Sequence, residues 1–98
     1  MNEKNEIIST LKKLNPEVTN TYKARLIGIF GSRARGDNTL SSDIDILVEF
    51  NPGADLIDYM RLASFLEEKL DNRIDLVPHD AIRSELRDKI LKEAEYLK

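Results

Sequence analysis

The spacing of apolar positions changes several times along the chain, and each change predicts an element. Ile7, Ile8, Leu11 and Leu14 recur at helical intervals, which predicts an amphipathic helix over Asn2 to Leu14. Asn15-Pro16 is expected to end it, because a residue before proline is pushed out of the helical region. The run Ala24 to Phe30 is short, apolar and rich in β-formers, so it predicts a buried strand. Gly31 to Gly36 reads as loop with room for one helical turn, and Asp37 to Ser42 as a polar turn. Asp43 to Phe50 predicts a second strand, with Asp43 and Asp45 on one face and Ile44, Ile46 and Val48 on the other. Asn51-Pro52-Gly53 breaks it.

Asp55 to Leu70 predicts the clearest helix, with Leu56, Tyr59, Met60, Ala63 and Leu66 as its apolar stripe and Asp71-Asn72 as its end. Arg73 to Val77 predicts a third strand, stopped by Pro78. Asp80 is the candidate N-cap of a last helix through Ile82, Leu86 and Ile90. Glu93 to Lys98 fits either a continuation of that helix or a short strand. The alternation of elements predicts an α/β (α+β) fold, a mixed sheet flanked by helices in a single small domain over residues 1–98. The 13 residues between Phe30 and Ile44 allow the first two strands to run either way.

Size and charge narrow the function. A chain of 98 residues supports one core and leaves no room for a second substrate-binding domain. No apolar stretch reaches the ~18 residues of a membrane span, and the start Met-Asn-Glu-Lys-Asn-Glu lacks the basic and apolar runs of a signal peptide. Cytoplasm is the expected location. With no cysteine there is neither a disulfide framework nor a thiolate metal site. The net charge of -3 argues against general nucleic-acid binding, which rests on neutralising phosphates.

The acids carry the first chemical signal. Asp43 and Asp45, at i and i+2 on a strand, stand ~6–7 Å apart on one face, where two carboxylates repel. A lone pair of this kind also suits the polar face of a half-exposed strand. Asp75, however, interrupts the apolar run of the third strand. If that strand lies beside the second, three carboxylates share a face, and Mg²⁺ suits such a set because it prefers carboxylates, waters and phosphates. His79 is the one histidine, so a zinc site is disfavoured.

Gly31-Ser32 supplies the second signal. It follows a buried strand directly, so backbone N–H groups of the turn and the Ser32 hydroxyl could face a phosphate. Arg33 and Arg35 lie on the same turn and carry forked donors suited to phosphate. The bland alternative is a strand-to-helix turn with two solvated arginines. A phosphate cradle beside an acid cluster is the equipment for in-line displacement at a phosphorus of a metal–nucleoside triphosphate. His79 and Asp80, after the third strand, could touch the nucleotide, but an ordinary loop histidine and a helix cap explain them equally well.

Gly31-Ser32, ten residues, then Asp43-Ile44-Asp45 resembles the signature of the DNA polymerase beta-type nucleotidyltransferases. The fuller string from Gly31-Ser32-Arg33-Ala34-Arg35-Gly36-Asp37 to Ser42-Asp43-Ile44-Asp45-Ile46-Leu47-Val48, with Arg73-Ile74-Asp75-Leu76-Val77, is similar to the minimal nucleotidyltransferases (MNT), often encoded beside a HEPN-domain ribonuclease. The resemblance implies a nucleotidyltransferase-type sheet, ATP as substrate with Gly31 and Ser32 at its triphosphate, and Asp43, Asp45 and Asp75 as catalytic acids binding Mg²⁺ as two ions. It further implies an antitoxin that transfers AMP to a tyrosine hydroxyl of the HEPN toxin. The alternative is a module that neutralises its partner by contact alone, through helix residues such as Leu56, Tyr59, Leu62 and Phe65, for which core packing is the ordinary explanation.

Overall fold

The computed structural model describes residues 3–39 and 41–97, so Met1, Asn2, Leu40 and Lys98, including the expected first residue of the first helix, lie outside the described residues. The order is α1 (Glu3–Tyr22), β1 (Ala24–Phe30), α2 (Gly31–Arg35), β2 (Ile44–Phe50), α3 (Leu56–Leu70), β3 (Ile74–Pro78), a 3₁₀ turn (His79–Ala81), α4 (Ser84–Glu93) and β4 (Glu95–Tyr96). The four strands form one mixed sheet in the order β3-β2-β1-β4. The β1–β2 and β1–β4 pairs are antiparallel, and the β2–β3 pair is parallel, with α3 as its crossover. The expected mixed sheet flanked by helices is the fold observed.

One face of this sheet is the core. Leu26 and Ile29 of β1, Ile44, Ile46 and Val48 of β2, and Leu76 of β3 pack with Ile7, Leu11 and Val18 of α1 and Leu62 and Leu66 of α3. Alternation then puts Asp45 and Asp75 on the opposite face. Leu47, next on that face, is buried outside the helix-side core, as is Ala94 at the end of α4.

Three local expectations are corrected. First, α1 does not stop at Asn15-Pro16 but continues through Pro16 to Tyr22. An internal proline loses one helical hydrogen bond, yet Leu11 and Val18 are fully buried on either side of it. Asn15 is also tied into the sheet: its side-chain oxygen accepts from the Leu26 N–H (2.9 Å) and its Nδ2 donates to the Leu26 carbonyl (3.1 Å). Second, the apolar stripe of α3 is rotated. Leu62 and Leu66 are fully buried, while Leu56 and Met60 are 71% and 58% exposed. The helix starts at an Asp55–Asp58 capping box, and Asp58 occupies a buried position that the expected stripe gave to its neighbours. Third, Asp80 caps no helix. It sits in the 3₁₀ turn, and α4 begins at Ser84 after Arg83.

The ends of α3 and β3 are joined by side chains. Tyr59 donates its hydroxyl to the Leu76 carbonyl (2.9 Å), and the Ile74 N–H donates to Glu67 Oε2 (3.4 Å). Gly28 is required by closeness: a Cβ there would strike the Glu95 carbonyl oxygen and lie 3.0 Å from Tyr96 Cα.

Candidate active site

The parallel register pairs Asp45 directly with Asp75 on the face away from the helices. The sheet therefore brings together two of the three predicted acids. The environment of Asp45 shows what this costs. Its carboxyl is pushed up to about 6, first by burial and then by the charges of Asp75 and Asp43, with a hydrogen bond to Asp75 adding to the effect and Arg35 opposing it. A carboxyl held this way is a proton acceptor near neutral pH, or a ligand waiting for a cation.

Asp43 stands just before β2 and is turned to a different partner. Its Oδ1 accepts from Arg73 Nε at 3.2 Å. This partner was missed in the sequence, although Arg73 precedes Asp75 by the same two residues as Asp43 precedes Asp45. Among the described residues no three His, Cys, Asp or Glu side chains are grouped to hold a metal ion. The donor set is nonetheless the right one for Mg²⁺. It is all oxygen, and the charges of Asp43 and Asp75 both act against the ionised Asp45.

The Gly31-Ser32 turn sits against this cluster. Phe30 pairs with Asp45 across β1 and β2, and Gly31 follows with φ +74. A Cβ at Gly31 would land on Asp45 Oδ2 and lie 3.2 Å from its Cγ, so glycine is required both by conformation and by space. The Ser32 carbonyl accepts from the N–H groups of Gly36 (2.8 Å) and Asp37 (3.1 Å), which closes α2.

The two arginines separate. Arg35 reaches Asp37 (3.1 Å) and Glu93 (3.5 Å), stays exposed and is close enough to act on Asp45. Arg33 is the correction: expected at a phosphate or in solvent, it is instead only 3% exposed. Its Nη1 donates to Glu3 Oε2 (2.6 Å), and its Nη2 donates to the Ser42 carbonyl (2.6 Å) and Asn72 Oδ1 (3.4 Å). Its donors face protein groups, because α2 is a single short turn whose third residue points into the body of the molecule.

The tyrosines are likewise engaged. Tyr22 packs on Phe65 (4.9 Å between centroids), and Tyr96 donates to the Leu91 carbonyl (2.8 Å). The Tyr59 phenol is pushed up by burial and by the charge of Asp75, which places it near the acids from the α3 side. None of the cavities of about 510, 230, 540 and 340 Å³ is lined by Asp43, Asp45 or Asp75. On the sheet face Asp45 is half-buried and Asp75 exposed.

A paired-acid face beside a glycine turn defines a nucleotidyl-transfer type of site, and the chain belongs to the nucleotidyltransferase domain family, whose model matches residues 5–97. It is 36% identical over 92 residues to the protein adenylyltransferase MntA of Thermococcus cleftensis, covering 94% of this chain and 93% of that one. Two solved structures share the fold. A toxin–antitoxin complex with AMP-PNP matches with TM-score 0.69 and 31% identity, over 99% of this chain and 73% of that one. A tri-AMPylated Shewanella oneidensis HEPN toxin in complex with its MNT antitoxin matches with TM-score 0.68 and 27% identity, over 97% of this chain and 71% of that one. The protein is thus a nucleotidyltransferase. No helix among the described residues is long and apolar enough to cross a membrane.

Proposed function

We propose that this chain transfers AMP from ATP to a tyrosine hydroxyl of a HEPN-domain toxin and so acts as its antitoxin, in the cytoplasm. The single observation that carries the reading is the Asp45–Asp75 pair set against Gly31. In the reaction, the acceptor oxygen attacks the α-phosphorus in line. A new P–O bond forms, the bond from that phosphorus to the oxygen bridging to the β-phosphate breaks, and pyrophosphate leaves with the electron pair. The hydroxyl proton passes to a carboxylate, for which Asp75, exposed beside Asp45, is the candidate base. Asp43, Asp45 and Asp75 would hold Mg²⁺, as two ions, with Asp43 released from Arg73. Bound there, Mg²⁺ would supply neutralisation of the charge that grows on the phosphate oxygens. Gly31 and Ser32 would face the triphosphate, and Arg35 would turn to it from its exposed pairs with Asp37 and Glu93. Arg33 is not assigned to the nucleotide.

The position of the acids supports a protein as acceptor, since none of the four cavities described above is lined by them. The names of the relatives point the same way: one is a protein adenylyltransferase, another an MNT antitoxin bound to an AMPylated HEPN toxin. A contact-only module is the second reading. The observation behind it is the exposed apolar group Leu56, Ile57 and Met60 on α3.

ATP labelled at the α-phosphate, Mg²⁺ and a HEPN partner encoded nearby test the two. Label on the partner's tyrosine from the α-position alone, lost on chelation and in the Asp43→Asn, Asp45→Asn variant, is expected. Label from the γ-position means a kinase. A partner bound and silenced without label means contact alone.

A further inference from the structure

We propose that Arg33 is the positioning residue that sets the distance between the Gly31-Ser32 turn and the two acid-bearing strands. It lies two residues after Gly31, and its guanidinium reaches the entrances of β2 and β3 together. Nη2 donates to the Ser42 carbonyl at 2.6 Å and to Asn72 Oδ1 at 3.4 Å. Ser42 immediately precedes Asp43, and Asn72 immediately precedes Arg73. One residue further on, Asp43 and Arg73 pair at 3.2 Å, and the Ile44 N–H donates to the Arg73 carbonyl at 2.9 Å. Two residues beyond those come Asp45 and Asp75 in register. The guanidinium therefore links the two strands just ahead of the pairing that aligns their carboxylates.

The other side of the group is anchored equally. Nη1 donates to Glu3 Oε2 at 2.6 Å, and Glu3 Oε1 accepts from Asn38 Nδ2 at 3.1 Å. Glu3 thus ties Arg33 to the start of α1 and to the loop that leads into Asp43. Arg33 Nε is buried without a hydrogen-bond partner in the structure. Burying a charged fork with one donor unsatisfied is costly, and an apolar side chain of similar length commonly serves stability as well or better. Stability alone therefore gives no reason for arginine here. Geometry does, because only a rigid planar fork holds acceptors on three segments at fixed mutual directions, and an ammonium cannot. Arg33 touches neither the acids nor the reacting atoms; it acts through the backbone that carries them.

The kinetic part of this inference rests on the proposed function, and the structural part does not. The test uses the full chain with Arg33→Met, Arg33→Lys and Asn72→Ala, and reads amide hydrogen exchange by NMR alongside the kinetics of AMP transfer. In Arg33→Met the Ile44 amide is expected to exchange at least about tenfold faster, while the Leu26 amide, held by Asn15, is unchanged. Transfer should lose about 100-fold in kcat with KM for ATP within about twofold, and Arg33→Lys should recover less than about a tenth of the loss. Should Arg33→Met fail to fold, Asn72→Ala removes one arm only and should show both effects at about threefold to tenfold. Unchanged Ile44 exchange in a folded variant overturns the proposal. So does a tenfold or larger rise in KM for ATP with kcat kept, which would make Arg33 a phosphate ligand. A wild-type chain that transfers nothing defeats the proposed function, and the exchange measurement then decides the positioning role by itself.

Discussion

The two ends of β2 carry charge on the same face and treat it in opposite ways. At one end Asp45 faces Asp75, like against like, and the Asp45 carboxyl rises to about 6. At the other end Glu49 sits between Arg25, whose Nη2 is 2.8 Å from Glu49 Oε1, and His79, whose Nε2 is 3.3 Å from Glu49 Oε2. There the carboxyl is held below the usual glutamate range, first by the hydrogen bond and charge of Arg25 and then by His79. Both acids stand on one face of one strand, and the difference lies in the partners each is given, Asp75 of β3 against Arg25 of β1 and His79. Neutralising Asp45 and Asp75 was open to this sequence, as Glu49 demonstrates. At Asp45 the opposing charge of Arg35 is outweighed by burial and by the two neighbouring acids.

The comparison breaks most visibly in activity. Asp45→Asn, Asp43→Asn should lower AMP transfer by about 1,000-fold or more, since a lost charge-stabilising group costs about 100–1,000-fold alone, whereas Glu49→Gln should leave transfer within about twofold; initial rates with α-labelled ATP check both. Gly31→Ala comes next. The methyl group meets Asp45 Oδ2 and φ is +74, so transfer should fall about 100-fold and the melting temperature should also drop, by about 4–8 °C per kcal/mol lost.

Stability separates the two ends more finely, and with opposite sign. The native Asp45 carboxyl binds its proton more readily than the unfolded one, so its charge destabilises the fold above about pH 6 and that penalty fades as pH falls toward the unfolded value of 3.8. Asp45→Asn should therefore melt higher than wild type at pH 7.5, by about 1 kcal/mol after allowance for solvent screening. The advantage should shrink through pH 6 and vanish near pH 4. Glu49 runs the other way: its pairing is present above the ordinary glutamate range and is lost as pH falls below it. Glu49→Gln should lower the melting temperature slightly at pH 7.5, within about 2 °C because the pair is exposed, and have no effect at pH 3. Thermal melts followed by circular dichroism across pH 3–8 measure all three curves. A stabilised Glu49→Gln or a destabilised Asp45→Asn at pH 7.5 would remove the contrast.

Much of this was legible in the sequence. Strand patterns at Ala24–Phe30, Asp43–Phe50 and Arg73–Val77 each match an observed strand to within a residue, because the core face reads out as alternation. The interruption of an apolar strand by Asp75 foretold its meeting with Asp45, though not the parallel register that makes them direct partners. Pro16 misled because a local rule was applied to a residue whose neighbours are held by tertiary contacts; Val18 and Tyr22, continuing the stripe of Leu11, carried the opposite signal. Arg33 misled for a similar reason. Its type suits phosphate, but which way a side chain leaves a single helical turn depends on packing that no local pattern encodes. Asp43 acts on Asp45 through its charge, while its bond to Arg73 needed the strand pairing to be seen.

The amide of Asn15 has a consequence for assembly. Where a neighbouring strand would have met the backbone of Leu26, that side chain already supplies the donor and the acceptor. At the opposite border, Tyr59 and Glu67 occupy backbone groups of Leu76 and Ile74, and Pro78 has no N–H to offer. Among the described residues, these side chains therefore occupy backbone groups that a foreign strand would otherwise pair with, at Leu26 on one side of the sheet and along β3 on the other.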